Sequence, residues 1–277
     1  MMKIVSFSLG NGAARPGVLL EEPGSVLDLT TQGYASVLDV IERELPSVLA
    51  AGTVPLSEVK LYAPLTNPPR VFAIGLNYRD HAIEAKMEIP KTPVVFFKLQ
   101  TAIVGPDEAI RLPAESNEVD YEAEFAFVIG TGGYRIPASA WREHVFGYTI
   151  VNDVSARDVQ FATSQWSMAK SFPTFCPMGP AIVTADEIAD PHQLEIRLEI
   201  DGVELQHSNT RELIFQVPEL IEYLSSITPL EAGDVISTGT PSGVGMGRKP
   251  KRWLKAGETV RIRVDGLGEL VNPVAAV

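Results

Sequence analysis

Asp120-Tyr121-Glu122-Ala123-Glu124-Phe125-Ala126-Phe127-Val128-Ile129-Gly130 is the stretch on which the reading of this chain turns. An extended chain sends successive side chains to opposite faces. Asp120, Glu122 and Glu124 therefore share one face with Ala126 and Val128, and Tyr121, Ala123, Phe125, Phe127 and Ile129 share the other. Both faces read as buried. Carboxylates packed side by side next to an apolar strand are costly unless neutralised, and a hard divalent cation is the usual neutraliser. Donors that are all oxygen favour Mg²⁺, Mn²⁺ or Ca²⁺ over zinc. The alternative is a strand at a sheet edge with its acids in water. A further acid weighs toward the first reading: Gly147-Tyr148-Thr149-Ile150-Val151-Asn152-Asp153 is a largely apolar run that ends in a carboxylate.

The surrounding chain is strand-rich. Short apolar runs cover 3–9, 18–20, 71–74, 93–97, 122–129 and 147–151, and residues 194–200 alternate strictly between apolar and polar. Asp201-Gly202 and Asp265-Gly266 read as tight hairpin turns, with further strands over 203–205, 234–237, 259–264 and 267–271. Helical patterns are few: 35–49, with apolar Val37, Leu38, Ile41, Leu45 and Val48; 155–166, with Ser155 as N-cap; and 217–226. Strands without regular βα alternation predict a mixed β-rich (α+β) roll or sandwich and exclude a Rossmann or TIM layout. Pro64, Pro68 and Pro69 punctuate the chain, which predicts a small unit over 1–68 and a larger one over 69–277.

At 277 residues, with 45% hydrophobic and 21% charged, the composition is that of a folded globular protein. A net charge of −12 argues against a nucleic-acid or anionic-membrane surface, and the cluster Arg248-Lys249-Pro250-Lys251-Arg252 reads as a solvated loop. No apolar run is long enough for a membrane span or a secretory leader, so the expected address is the cytoplasm. The one cysteine, Cys176, reads as a small buried apolar residue.

Other residues carry chemistry. In Gly75-Leu76-Asn77-Tyr78-Arg79-Asp80-His81-Ala82-Ile83-Glu84, helical spacing sets His81 and Glu84 three apart, where the carboxylate would orient the imidazole and raise its basicity; the bland reading is an exposed pair. His144, His192 and His207 read as surface positions. Lys98 and Lys170 sit in apolar surroundings, either snorkelling or holding a carboxylate. The loop Thr238-Gly239-Thr240-Pro241-Ser242-Gly243-Val244-Gly245-Met246-Gly247 offers backbone N–H groups to an anion, without the spacing of a Walker A or Rossmann loop.

Taken in order, Gly75 to His81, Asp120 to Glu124, Asn152-Asp153-Val154-Ser155-Ala156-Arg157-Asp158, 165–171, Phe175-Cys176-Pro177-Met178-Gly179-Pro180 and 238–245 resemble the fumarylacetoacetate hydrolase superfamily, in the branch that holds the fumarylacetoacetate hydrolase domain-containing proteins and the bacterial diketo-deoxy sugar-acid and acylpyruvate hydrolases. The resemblance implies a β-roll catalytic domain behind a small N-terminal α/β domain, with Glu122, Glu124 and Asp153 holding Mg²⁺ or Mn²⁺. It implies His81 and Glu84 as a water-activating dyad on a lid segment and Lys170 as a catalytic lysine. Arg157, Gln160, Thr240, Lys98 and Tyr78 are implied to contact substrate. The implied partner is a small 2-oxo acid, and the implied assembly a homodimer. The expected reaction is hydrolysis of a C–C bond in a 2,4-dioxo acid to pyruvate and a carboxylic acid. The alternatives are a 2-oxo-diacid isomerase of the 2-hydroxyhepta-2,4-diene-1,7-dioate type or an oxaloacetate decarboxylase. A non-catalytic, metal-stabilised binding protein is disfavoured because a scaffold has no need of a base beside its metal.

Overall fold

The structure, a computed structural model, describes residues 1–10, 12–22, 24–43, 52–85 and 88–277. Among these, the Ala123–Ile129 strand is buried at every position, as its apolar faces require. It lies antiparallel between Val145–Asn152 and Val235–Ser237. Among the described residues they belong to a twelve-stranded sheet whose path runs Thr53–Pro55, Ser25–Asp28, Arg15–Leu20, Lys3–Leu9, Cys176–Thr184, Val145–Asn152, Ala123–Ile129, Val235–Ser237, Val71–Gly75 and Val94–Lys98. A five-stranded sheet, ordered Val203–Asn209, Glu195–Ile200, Thr259–Val264, Gly268–Ala276 and Ile110–Leu112, packs over its centre. Between the sheets lies one continuous apolar core, in which the Phe125 and Tyr148 rings stack 5.4 Å apart. This is the β-rich roll or sandwich expected. Lys3 pairs with Val183, so strands on both sides of residue 68 share one sheet.

Periodicity gave good boundaries where strands are long: Lys3–Leu9 and Thr259–Val264 match the expected ranges, and Asp201 and Gly202, both with positive φ (51° and 79°), make the tight turn between Glu195–Ile200 and Val203–Asn209. Helices fared worse. The helix read over 35–49 is observed as Val37–Arg43; Leu45 and Val48 lie outside the described residues. The helix read over 155–166 is corrected to Arg157–Gln160. Ser155 is not its N-cap, because Ser155 and Ala156 pair as a short strand with Val119 and Asp120, and the Ser155 hydroxyl donates to the Asp153 carbonyl at 2.9 Å. The acidic stretch is likewise two strands: Val119–Asp120 pairs with Ser155–Ala156, and the long strand starts only at Ala123. Helix Val217–Ile227 buries Val217, Leu220, Ile221 and Leu224 on one stripe. Lacking a side-chain cap from Gln216, it uses His192, whose Nε2 accepts from the Val217 N–H at 3.3 Å. His192 packs edge-on to Trp141 and is only 12% exposed at its side chain, which corrects its reading as a surface residue. His144 is also half-buried, 2.6 Å from the Thr131 carbonyl, whereas His207 is exposed as expected. Among the described residues no helix is long and apolar enough to cross a membrane.

Candidate active site

Antiparallel pairing sets Ala123 opposite Asn152, so Glu122 and Glu124 at the start of one strand meet Asp153 just past the end of the next. The bonds that lock this corner are local: the Asp153 N–H donates to the Glu122 carbonyl at 2.9 Å, and the Glu122 N–H donates to Asn152 Oδ1 at 3.0 Å. All three carboxylates are buried, and each offers an oxygen within 4.8 Å of the others. The strand Val235–Ser237 pairs in parallel with Val71–Gly75, which delivers the loops after both strands, with His81 and Thr240, to the same end of the sheet.

The charges around this cluster are also buried. Lys98 Nζ donates to Asp153 Oδ1 at 2.5 Å, and Lys170 Nζ donates to both Glu122 Oε2 and Asp153 Oδ2 at 2.7 Å. Arg157 bridges the two acidic strands, donating from Nε to Asp120 Oδ2 at 2.9 Å and from a terminal nitrogen to Glu122 Oε1 at 2.5 Å. Four carboxylates, Asp120, Glu122, Glu124 and Asp153, thus face three cations, Lys98, Lys170 and Arg157, and one negative charge is left over. The acid without a cationic hydrogen-bond partner is Glu124, which among the described residues accepts only from the Ser237 hydroxyl (2.6 Å) and the Gly239 N–H (2.9 Å). Burial, together with the charges of Asp153 and Glu122, pushes the Glu124 carboxyl well above its ordinary pKa. Burial works the same way on Glu122, but Lys170 and Arg157 outweigh it and hold that carboxyl well below its usual value. The residues therefore fit a hard divalent cation: an oxygen-only donor set, with one charge still to be matched.

Beside the cluster lies a cavity of about 100 Å³. His81, Arg157, Gln160, Lys170 and Thr240 join the three carboxylates on its wall, and Ile74, Phe96, Phe161, Trp166 and Met246 supply its apolar side. Trp166 stands edge-on to Phe96 at 5.7 Å and against Gly75, where an added Cβ would lie 2.4 Å from the indole. His81 is buried on the short helix Arg79–Ala85, its Nδ1 3.4 Å from Glu84 Oε2. Glu84 is itself fixed, accepting from the Gly243 N–H at 3.0 and 3.1 Å. The dyad is thus an oriented pair of a buried His81 and a half-buried Glu84, and not an exposed one.

Two residues expected at the substrate lie behind the wall. Lys98 is fully enclosed, with its ammonium spent on Asp153 and on the carbonyls of Val154 and Lys170. Tyr78 is fully buried, and among the described residues its hydroxyl has no hydrogen-bond partner. The glycine loop holds anions, as its sequence suggested, but they are the protein's own: Gly243 binds Glu84, and the N–H groups of Gly245 and Met246 bind Asp120 at 2.7 and 3.0 Å. Gly243 has φ of +100°, and a Cβ there would lie 2.1 Å from the Leu205 carbonyl oxygen. A Cβ on Gly245 would lie 1.8 Å from the Arg252 carbonyl oxygen and 2.6 Å from Asp120. The basic cluster after the loop is only partly solvated: Arg248 clamps the carbonyls of Gly243 and Leu205, and Arg252 pairs with Glu258 at 2.9 Å. Gln206 and Ser237 carry no signal in the sequence, because each acts through a contact with a residue distant in the chain, whereas Gly239 belongs to the loop whose N–H groups were expected to hold an anion. Cys176 is buried with its thiol pushed up to about 12 by burial, the inert residue expected.

Comparison with known proteins assigns this two-sheet fold, with its buried carboxylate cluster, to one family. Residues 70–275 match the family described as the fumarylacetoacetate (FAA) hydrolase C-terminal domain, and the chain belongs to that family. It is 43% identical over 287 residues to a Xenopus laevis protein named oxaloacetate tautomerase fahd2, mitochondrial, spanning 99% of this chain and 90% of that one. The fumarylacetoacetate hydrolase of psychrophilic Exiguobacterium antarcticum superposes with a TM-score of 0.90 at 38% identity over the whole of both chains. The 2-hydroxyhepta-2,4-diene-1,7-dioate isomerase of Mycobacterium marinum superposes with a TM-score of 0.82 at 35% identity, over 100% of this chain and 99% of that one. The chain is thus an enzyme of the fumarylacetoacetate hydrolase family.

Proposed function

We propose that this enzyme is divalent-metal dependent and acts on a small 2-oxo diacid, converting the enol of an oxaloacetate-type substrate into its keto form. The observation that carries the reading is the carboxylate cluster with one unmatched charge, set beside a buried histidine on the wall of a small cavity. Glu122, Glu124 and Asp153 would hold Mg²⁺ or Mn²⁺. When bound, the ion supplies Lewis acidity at the carboxylate and 2-oxo oxygens of the substrate, lowering the cost of negative charge on the latter.

The remaining work falls to the chain's own side chains. Arg157 donates to Gln160 Oε1 at 2.9 Å, which leaves the Gln160 amide nitrogen as the donor available to substrate oxygen. Thr240 adds a hydroxyl. Tautomerisation gains and loses no atom: one proton leaves the 2-hydroxyl and one arrives at C3. With Nδ1 turned to Glu84, which orients the ring, His81 carries that proton at Nε2. Phe96 and Trp166 keep bulk water from the site. A cavity of about 100 Å³ suits a four-carbon diacid better than a long acyl tail, and the name of the Xenopus laevis relative supports the same substrate.

The His81–Glu84 pair favours a second reading, the C–C hydrolysis first expected from sequence: the same Nε2 would deprotonate a water attacking the distal carbonyl of a 2,4-dioxo acid. Decarboxylation of oxaloacetate would use the same cluster without that water. One experiment separates the three. Enol-oxaloacetate, keto-oxaloacetate and acylpyruvates are supplied separately with Mg²⁺ or Mn²⁺, and keto product, pyruvate, CO₂ and released acid are quantified. Accelerated ketonisation without pyruvate from acylpyruvates supports the first reading. Equimolar pyruvate and carboxylic acid would establish hydrolysis in its place, and pyruvate with CO₂ from the keto acid would establish decarboxylation.

A further inference from the structure

Gln206 lies on the edge strand Val203–Asn209 of the smaller sheet, yet it is buried between a half-buried Leu205 and an exposed His207. Its amide has one chemically consistent orientation. The Ala123 N–H, which can only donate, lies 2.9 Å from one amide atom, so that atom is the carbonyl Oε1. The other atom is therefore the amine, Nε2, and both of its hydrogens are committed: one to Thr240 Oγ1 at 2.8 Å and one to the Pro241 carbonyl at 2.9 Å. A hydroxyl oxygen that accepts from Gln206 keeps its own hydrogen for something else. Among the described residues no acceptor takes it, and Thr240 lines the cavity.

We propose that Gln206 is a positioning residue that fixes the Thr240 hydroxyl as a donor into the cavity, so that the site selects a ligand presenting an anionic oxygen there. A carboxylate offers only lone pairs and matches a fixed donor; an ester or amide in its place forms a weaker, uncharged bond. Ala123 lies between Glu122 and Glu124, so one side chain ties the carboxylate cluster to the donor that faces the substrate. The inference rests on the reading of the cavity as a 2-oxo-acid site.

The test is a double-mutant cycle read by two assays: KM and kcat with oxaloacetate, and the affinity of Mg²⁺-loaded protein for oxalate by calorimetry. Gln206→Glu keeps an acceptor for the Ala123 N–H but replaces the amine with an oxygen, which draws the Thr240 hydrogen away from the cavity. It is expected to weaken oxalate binding and raise KM by ~10-fold or more with kcat much less affected. The effect is expected to vanish in a Thr240→Val background and to persist in Thr240→Ser, which keeps the hydroxyl. Gln206→Met, which removes the amine without adding charge, is expected to show the same dependence on Thr240 at ~3-fold, and decides the matter if the Glu variant does not fold. An equal loss with and without the Thr240 hydroxyl would mean a charge or folding effect and would overturn the proposal, as would wild-type protein that binds no oxalate. Protein that binds oxalate but turns over no oxaloacetate would sink the proposed reaction and leave the Gln206 cycle decisive on affinity alone.

Discussion

Replacing Glu124 with Gln should stabilise the metal-free protein and forfeit the stabilisation that metal gives. Glu124 is 1% exposed and, among the described residues, is the carboxylate of its cluster that accepts no hydrogen bond from a cation. A Gln carbonyl accepts the same two bonds from Ser237 and Gly239, while its amine turns toward Glu122 and Asp153. Removing the unmatched buried charge should stabilise metal-free protein by ~1–3 kcal/mol, or ~2–5 °C in Tm for a chain of this size. The sign depends on pH. Because the folded pKa of Glu124 is raised, protonation contributes stability that is complete below the unfolded value near 4.5 and is lost as pH rises through the folded value. The advantage of the Glu124→Gln variant should therefore be largest in mildly alkaline buffer and fade toward pH 4.5. Metal works against the variant: wild-type protein at a hundred times Kd gains ~2.7 kcal/mol, ~5 °C, which the variant should largely forfeit. Calorimetric scans in EDTA and in Mg²⁺ read both effects. A variant that melts below wild type in EDTA at alkaline pH, or that keeps the full Mg²⁺ shift, would refute the charge argument.

Three further outcomes follow from the geometry. Lys98→Met removes a fully enclosed partner of Asp153, which keeps Lys170, and should cost ~3 kcal/mol in chemical denaturation. Gly245→Ala forces a Cβ against the Arg252 carbonyl and Asp120; it should cost ~1–3 kcal/mol and, by loosening the Asp120–Arg157 pair, lower activity as well, to be read from denaturation and turnover together. Burial, the largest influence on His192, lowers its pKa, so the stability it contributes is present above the unfolded value near 6.5 and is lost as pH falls from there through the folded value, where protonation also takes Nε2 from the Val217 N–H. His192→Gln should flatten that part of the Tm profile; an unchanged slope would remove His192 as its source.

The parts of the fold legible in sequence were those written in local periodicity. Thr259–Val264 and the Asp201-Gly202 turn could be read because alternation and turn chemistry act over a few residues. Glu122, Glu124 and Asp153 stood out because acids at the ends of apolar runs are expensive to bury, and the structure brings them together. The segment after Asp153 misled because Ser155 is a good cap locally, but its backbone is claimed by pairing with Asp120 across the chain. Which N–H groups of the glycine loop meet which carboxylates, and the role of Gln206, depend on contacts from 34 to 159 residues apart in sequence, such as Gln206 with Thr240 and Gly243 with Glu84, and carry no local signature.

In the proposed reaction this site moves a proton on a 2-oxo diacid with the help of a divalent cation held by Glu122, Glu124 and Asp153. It is tested most directly by following the decay of enol-oxaloacetate in the presence of the enzyme with Mg²⁺, with EDTA, and with Glu122→Ala and His81→Ala variants that bind Mg²⁺ weakly and normally, respectively. Ketonisation well above the buffer rate is expected only for wild-type enzyme with metal, with a loss of ~10²-fold or more in His81→Ala. Ketonisation that survives EDTA, or that His81→Ala leaves intact, would contradict it.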